Sequence, residues 1–176
     1  MSDSRAQDTA IDSLPELLAH ALAMETEAAE RYEELADQME THRKAGVAAI
    51  FRRLEKEEKA HLVELNEMCS RYELPHYAPW DFKWNTGESP EAIAIDQVSY
   101  KLSVRGAVEL ALVHERRACD FYAGIAQRAS DDEVRILASQ FAAEEREHIG
   151  WLESCLADCG PDDAAIDDPD PPLSQE

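Results

Sequence analysis

Apolar residues recur at helical spacing along four stretches of the chain, and no stretch alternates apolar and polar positions for long. In the second stretch, Phe51, Leu54 and Leu62 share one face, and a matching stripe in the fourth runs from Val134 to Leu152. Glycine is scarce, with 6 residues, while strong helix formers are common. The pattern therefore predicts an all-α protein built from four long helices.

Capping and turn signals set the ends of these helices. Ser13 with Glu16, and Ser130 with Glu133, have the spacing of a capping box at the starts of the first and fourth helices. Leu74-Pro75 and Gly160-Pro161 are stop signals. The predicted helices span about 13–40, 44–72, 103–129 and 130–159.

The chain reads as two similar halves, each a helical hairpin. Residues 73–102 join them, and thirty residues reach as far as about 100 Å, so this connector can cross the whole bundle. We therefore expect one domain at 13–159, a four-helix bundle of two antiparallel hairpins with a long crossover. Residues 1–12 are expected to be flexible, and 160–176 to form a disordered acidic tail.

The connector carries aromatic residues, and single histidines lie outside the main motifs. Trp80, Phe82 and Trp84 are expected to anchor the connector on the bundle. We expect a surface position for three histidines, which are His20, His42 and His76.

Charge and composition exclude several classes of partner. The formal charge is −21, and the last seventeen residues hold six acids and no base, which leaves about −15 on the rest. Such a surface repels phosphate backbones and anionic lipids, so neither nucleic acid nor membrane is an expected partner.

The chain has no long apolar run and no hydrophobic leader, so a cytoplasmic protein is expected. Its four cysteines show no CxxC spacing, which excludes a rubredoxin-type centre or a zinc ribbon built from them.

Acidic residues repeat in register in the two halves. Glu25 and Glu115 each precede a tyrosine by seven residues, which is two helical turns on one face, and these tyrosines are Tyr32 and Tyr122. The second and fourth helices carry Glu-x-x-His, as Glu58 with His61 and Glu145 with His148. One accidental ExxH is expected by chance, and Glu73-Leu74-Pro75-His76 is such a case.

The distances to the turns place all four glutamates at one level. Each lies about fifteen to seventeen residues from the turn of its own hairpin. Four buried carboxylates would repel one another unless they were protonated or a cation lay among them. Two divalent cations would balance them, and the oxygen and nitrogen donors favour iron or manganese, with zinc as a competitor.

This set of residues resembles the rubrerythrin and ferritin group of diiron carboxylate proteins, whose signature is a Glu from two helices and Glu-x-x-His from the other two. The resemblance covers about residues 13–159 and implies a ferritin-like bundle with two iron ions. It implies Glu25 and Glu115 as terminal ligands and Glu58 and Glu145 as bridges. It further implies one imidazole for each metal, from His61 and His148, and hydrogen bonds from Tyr32 and Tyr122 to ligand carboxylates.

The chain departs from rubrerythrins in two respects. Ala118 stands where they carry a further glutamate ligand, and the rubredoxin domain that they usually add is absent. The remaining six-ligand set is more similar to the ferroxidase centre of bacterioferritin.

The resemblance implies a diiron oxidoreductase that oxidises Fe(II) or reduces hydrogen peroxide, in iron homeostasis or oxidative-stress defence. Its partners would be oxygen or hydrogen peroxide and an electron donor of unknown identity, and a homodimer is expected. Three alternatives stay open: a diiron hydroxylase, a dimanganese catalase-like enzyme, and a non-catalytic metal-binding bundle.

Overall fold

Four long helices make up most of the structure, a computed structural model that describes residues 10–84, 87–92, 98–99 and 101–160. The helices are α1 (Leu14–Thr41), α2 (Ala45–Cys69), α3 (Val104–Arg128) and α4 (Asp132–Asp158), with a 3₁₀ turn at Pro79–Asp81. No strand occurs in these described ranges. Residues 1–9 of the predicted flexible segment, and the predicted tail beyond Gly160, lie outside the described residues.

The helices pair as two hairpins, and this confirms the predicted all-α four-helix bundle. The main contacts join α1 to α2 and α3 to α4, and fewer contacts join one hairpin to the other. Within the described part of the chain, no helix is both long enough and apolar enough to span a lipid bilayer.

The core consists of two apolar clusters at opposite ends of the bundle. The first cluster packs the start of α1 against the end of α2, as with Leu17 and Leu65. The second cluster packs the end of α1 against the start of α3, as with Met39 and Ala107. Because α2 ends in the first cluster and α3 begins in the second, the connector runs the length of the bundle, as the sequence predicts.

The predicted capping box of α1 does not form. Ser13 is the N-cap, but its side chain makes no capping hydrogen bond. The carboxylate of Glu16 instead pairs with Lys83 Nζ of the connector at 2.6 Å. A tertiary ion pair has therefore replaced the local capping interaction.

The N-cap of the fourth helix lies one residue later than predicted. Asp131 is the N-cap, and its Oδ1 accepts hydrogen bonds from the backbone N–H groups of Glu133 at 2.8 Å and Val134 at 3.0 Å. The Ser130 hydroxyl instead donates to Asp12 at 3.0 Å. Asp131, an equally good capping residue, thus takes the position that the sequence assigns to Ser130.

His20, predicted at the surface, is fully buried and holds the connector against α1. Its Nε2 accepts the Lys83 N–H at 2.9 Å, so its Nδ1–H is the donor to the Glu16 carbonyl at 2.8 Å. Burial lowers the pKa of His20, which keeps the ring neutral. The prediction was wrong because a helical histidine gives no local sign of a partner some sixty residues away.

Aromatic rings from the connector surround His20. The rings of Phe82 and Trp84 lie 5.1 and 5.2 Å from it, centroid to centroid, and Trp84 also contacts Phe121 of α3. Two of the three predicted anchors are therefore confirmed. Trp80 is not an anchor, since it is 82% exposed.

His20→Phe tests this arrangement. The phenyl ring keeps the aromatic packing but leaves the Lys83 N–H without its acceptor, so the free energy of unfolding should fall by about 1–3 kcal/mol. Urea unfolding followed by circular dichroism measures the change. His76→Phe, at an exposed connector histidine, is the control, and equal stability of the two variants would contradict the role of His20.

Candidate metal centre

The six predicted ligand side chains meet in one layer between the two apolar clusters. Each helix contributes to this layer, so that the two hairpins face each other across it. Five of the residues are at least nine-tenths buried, which are Glu25, Glu58, Glu115, Glu145 and His148. The His61 side chain is 19% exposed. The structure therefore brings together all six residues, and their role as ligands remains a prediction.

Both imidazoles present Nδ1 to the carboxylates. His61 Nδ1 lies 3.4 Å from Glu58 Oε2 and 3.6 Å from Glu25 Oε2. His148 Nδ1 donates to Glu115 Oε2 at 3.0 Å and lies 3.7 Å from Glu145 Oε2. The two rings stack with centroids 5.0 Å apart, so both nitrogens face the same interior space.

Glu58 lies between the two histidines. Its Oε2 faces His61, and its Oε1 lies 3.3 Å from His148 Nδ1. Two groups of side chains could each hold a metal ion with ligand atoms within 4.8 Å of one another: Glu58, His61 and His148, and Glu115, Glu145 and His148. The groups share His148, and Glu25 lies just outside both.

The two tyrosines link the hairpins reciprocally. Tyr32 on α1 donates to Glu115 Oε1 on α3 at 2.6 Å, and Tyr122 on α3 donates to Glu25 Oε1 on α1 at 2.8 Å. Burial, followed by the charge of the accepting glutamate, raises the pKa of each phenol well above its usual value. Both groups therefore stay protonated and act as donors, and each tyrosine orients the glutamate on the opposite hairpin.

Burial and mutual repulsion make the ionised carboxylates costly. Burial, followed by the charge of Glu25, raises the pKa of Glu58 and of Glu145 well above the usual range. Burial also disfavours the charge of Glu25, but His61, Glu58 and Tyr122 outweigh it and lower its pKa. The ionised form is thus favoured at Glu25, and the protonated form at Glu58 and Glu145.

The histidines respond to the same carboxylates. Burial alone would lower the pKa of His148, but its hydrogen bond to Glu115 and the nearby carboxylate of Glu58 raise it to about 10. The pKa of His61 is raised for a similar reason, chiefly by Glu25 after the opposing effect of burial. In the metal-free protein, protons bound to the histidines thus supply positive charge beside the carboxylates.

The residues fit a pair of divalent cations. Several buried carboxylate oxygens have no hydrogen-bond partner, which are Glu25 Oε2, both oxygens of Glu58 and Glu145 Oε2. Native structures rarely leave such atoms unpaired without an ion or water. Oxygen and nitrogen donors without sulfur suit iron or manganese.

A cavity of about 150 Å³ opens from the histidine side of this layer. Three of its lining residues are glutamates, Glu57, Glu144 and Glu147, against one arginine, and this acidic lining favours cations. Its other lining residues are Arg53, Leu54, His61, His148 and Trp151. The centre is therefore accessible from α2 and α4.

One acidic residue near the centre was missed by the sequence reasoning. Glu91, in the connector, is 1% exposed, and its strongest electrostatic neighbour is Glu115. Burial and the charges of neighbouring glutamates raise its pKa well above the usual range. A signal exists in the sequence, since Glu91 is the one charge within the apolar run Pro90–Ile95.

His114, next to Glu115 in the sequence, makes its hydrogen bond to the connector and not to one of the six predicted ligands. It is 5% exposed, and it hydrogen-bonds the backbone of Pro90 instead. Burial lowers the pKa of His114, so the ring is neutral. Its role is to hold the connector near Glu91.

Comparison with known proteins supports the same assignment. A family model described as Rubrerythrin matches residues 16–154. The crystal structure of an uncharacterized conserved protein from Magnetospirillum magnetotacticum MS-1 is similar, with a TM-score of 0.68 and 35% sequence identity over 84% of this chain and 96% of that chain. None of the curated proteins is similar enough to count as a match. The resemblance inferred from the motifs is thereby confirmed.

Removing either tyrosine hydroxyl should weaken metal binding. Tyr32→Phe leaves Glu115 Oε1 without its donor, and Tyr122→Phe does the same to Glu25 Oε1. We expect each variant to bind Mn(II) about 10–100-fold less tightly, as measured by equilibrium dialysis. Tyr72→Phe, at a tyrosine that is 42% exposed, should bind as the wild type does. Unchanged affinity in both buried variants would show that the hydrogen bonds do not position ligands.

Metal binding at pH 7 should release protons. A histidine with a pKa of about 10 is charged at pH 7 and must lose its proton before Nδ1 can bind a cation. Affinity should therefore rise between pH 6 and pH 8, a window above the ordinary range for glutamate. Titration calorimetry in two buffers of different ionisation enthalpy measures the protons released, and identical heats in both buffers would contradict this expectation.

Proposed function

Because the chain belongs to the rubrerythrin family, we propose that it is a diiron oxidoreductase that oxidises Fe(II) with oxygen or hydrogen peroxide, or reduces hydrogen peroxide. Such an activity serves iron homeostasis or defence against oxidative stress. The observation that supports it most directly is that four carboxylates and two imidazoles lie together in the interior, where several of the carboxylate oxygens have no hydrogen-bond partner.

The proposed ligand roles follow from the family resemblance and agree with the local geometry. Glu25 and Glu115 are terminal ligands, each oriented by a tyrosine from the other hairpin. Glu58 is a bridge, which suits a carboxylate whose two oxygens face different histidines. Glu145 is the second bridge, and His61 and His148 each bind one metal through Nδ1.

When bound, the iron pair supplies the redox chemistry: two Fe(II) ions provide the two electrons that, with two protons, convert hydrogen peroxide into two waters. The protein supplies the environment. The two apolar clusters exclude water from the flanks of the centre, and the buried phenols of Tyr32 and Tyr122 keep the carboxylates in place. Return to Fe(II) requires an external electron donor.

The size of the cavity favours a small oxidant over an organic substrate. About 150 Å³ admits oxygen or hydrogen peroxide, whereas pockets for organic ligands occupy about 300–1,000 Å³. The glutamates that line the cavity would concentrate cations in the same space. A hydroxylase acting on a bulky substrate is therefore the less favoured alternative.

Glu58→Ala tests the bridging role. Removing a carboxylate that faces both histidines should cost at least one metal ion of the proposed pair, as measured by elemental analysis of protein loaded with Fe(II) without oxygen. Glu67→Ala, at an exposed glutamate of the same helix, should keep the wild-type metal content. Two metals retained in Glu58→Ala would refute the bridge.

The same loaded protein distinguishes the activities. Mixing it with oxygen or with hydrogen peroxide, while absorbance follows the formation of Fe(III), should show oxidation faster than that of free Fe(II). The faster oxidant then separates a ferroxidase from a peroxidase. Oxygen evolution from peroxide by the manganese-loaded protein without a donor would support the catalase-like alternative. Iron that binds but oxidises no faster than free iron would support a non-catalytic bundle.

A further inference from the structure

Glu91 is a buried acid that the six-residue centre does not include. It is 1% exposed, and neither of its carboxylate oxygens has a hydrogen-bond partner. Its largest electrostatic interactions are with three glutamates of the centre, which are Glu115, Glu58 and Glu25. Burial and the neighbouring glutamates therefore disfavour an ionised carboxylate at this position unless a cation lies beside it.

The backbone of the connector fixes where Glu91 lies. Pro90 is buried, and His114 on α3 hydrogen-bonds its backbone. A turn closes on the other side of Glu91, where the Ala92 N–H donates to the Ser89 carbonyl at 3.1 Å. This position is held from two sides, beside the α3 helix that carries Glu115.

We propose that Glu91, carried by the connector and not by a helix, is a further carboxylate ligand of the metal pair. The proposal rests on the proposed function, since it requires that the helices bind metal. The Glu91 carboxylate lies outside the two close groups of ligand atoms, so it would complete the coordination of a metal already held by the helices. Metal binding and the docking of residues 87–92 are then coupled, and each stabilises the other.

Glu91→Gln tests the proposal because it removes the charge and keeps the shape. Metal-free protein is titrated with Mn(II), which is stable in air, and binding is followed by electron paramagnetic resonance and equilibrium dialysis. Loss of a ligand should weaken the affinity of at least one Mn(II) by about tenfold or more. Glu88→Gln, at an exposed glutamate three residues earlier on the same segment, should stay within about twofold of the wild type.

A merely structural role for Glu91 makes the opposite prediction. If Glu91 only stabilises the fold, the metal-free Glu91→Gln protein melts at a lower temperature than the metal-free wild type and binds Mn(II) equally well. If Glu91 is a ligand, the metal-free variant melts at the same or a higher temperature, because an unpaired buried acid has been removed. The rise in melting temperature on adding Mn(II) is then smaller than in the wild type.

Hydrogen exchange provides a readout at the connector itself. In the wild type, Mn(II) should slow amide exchange in residues 87–92, and in Glu91→Gln this protection should be lost while that of α2 remains. Wild-type affinity and wild-type protection in Glu91→Gln would overturn the inference and leave the proposed function intact. Failure of the wild-type protein to bind any Mn(II) or Fe(II) would overturn both.

Discussion

Repulsion among carboxylates in an apolar interior is the constraint on which the rest of this structure depends. Four glutamates, one from each helix, lie in a layer between two apolar clusters, where water cannot screen their charges. Without metal, this layer is stabilised by protons, as the raised pKa values of Glu58 and His148 show. In the proposed metal-bound state, two dications would remove the repulsion and replace those protons, and their binding would offset the free-energy cost of bringing the four carboxylates together.

The connector is needed for this geometry in two ways. Because it runs the length of the bundle, α3 begins at the end where α1 finishes, and Glu115 lies opposite Tyr32 at 2.6 Å. It also packs against two of the helices, since His20 and the aromatic rings around it hold the connector on α1 and α3, and it carries the buried Glu91. A segment without regular secondary structure over most of its described length thus sets the register of the hairpins and adds a buried acid to the interior.

Sequence periodicity could predict the parts of the site that repeat with the helices. The spacing from Glu25 to Tyr32, and the Glu-x-x-His pairs, fix which side chains share a face and at what level, because helix geometry is rigid. In the connector, by contrast, the buried positions do not recur at a regular spacing. Glu91 and His20 depend on tertiary partners distant in sequence, and local spacing carries no information about such partners. The N-cap of α4 was predicted at Ser130 and lies at Asp131 for a different reason, since these two good capping residues are adjacent in the sequence.

The centre has two unlike sides, although its two hairpins repeat each other. On the side of α2 and α4, both imidazoles border a cavity that three glutamates help to line. On the side of α1 and α3, the two phenols are buried and the connector brings Glu91 close to Glu115. The histidine side is therefore open to the cavity, whereas the two tyrosines on the other side are buried and orient carboxylates. Duplication of the hairpin explains the matched carboxylates and imidazoles, and the connector, which has no counterpart on the other side among the described residues, explains why the two sides differ.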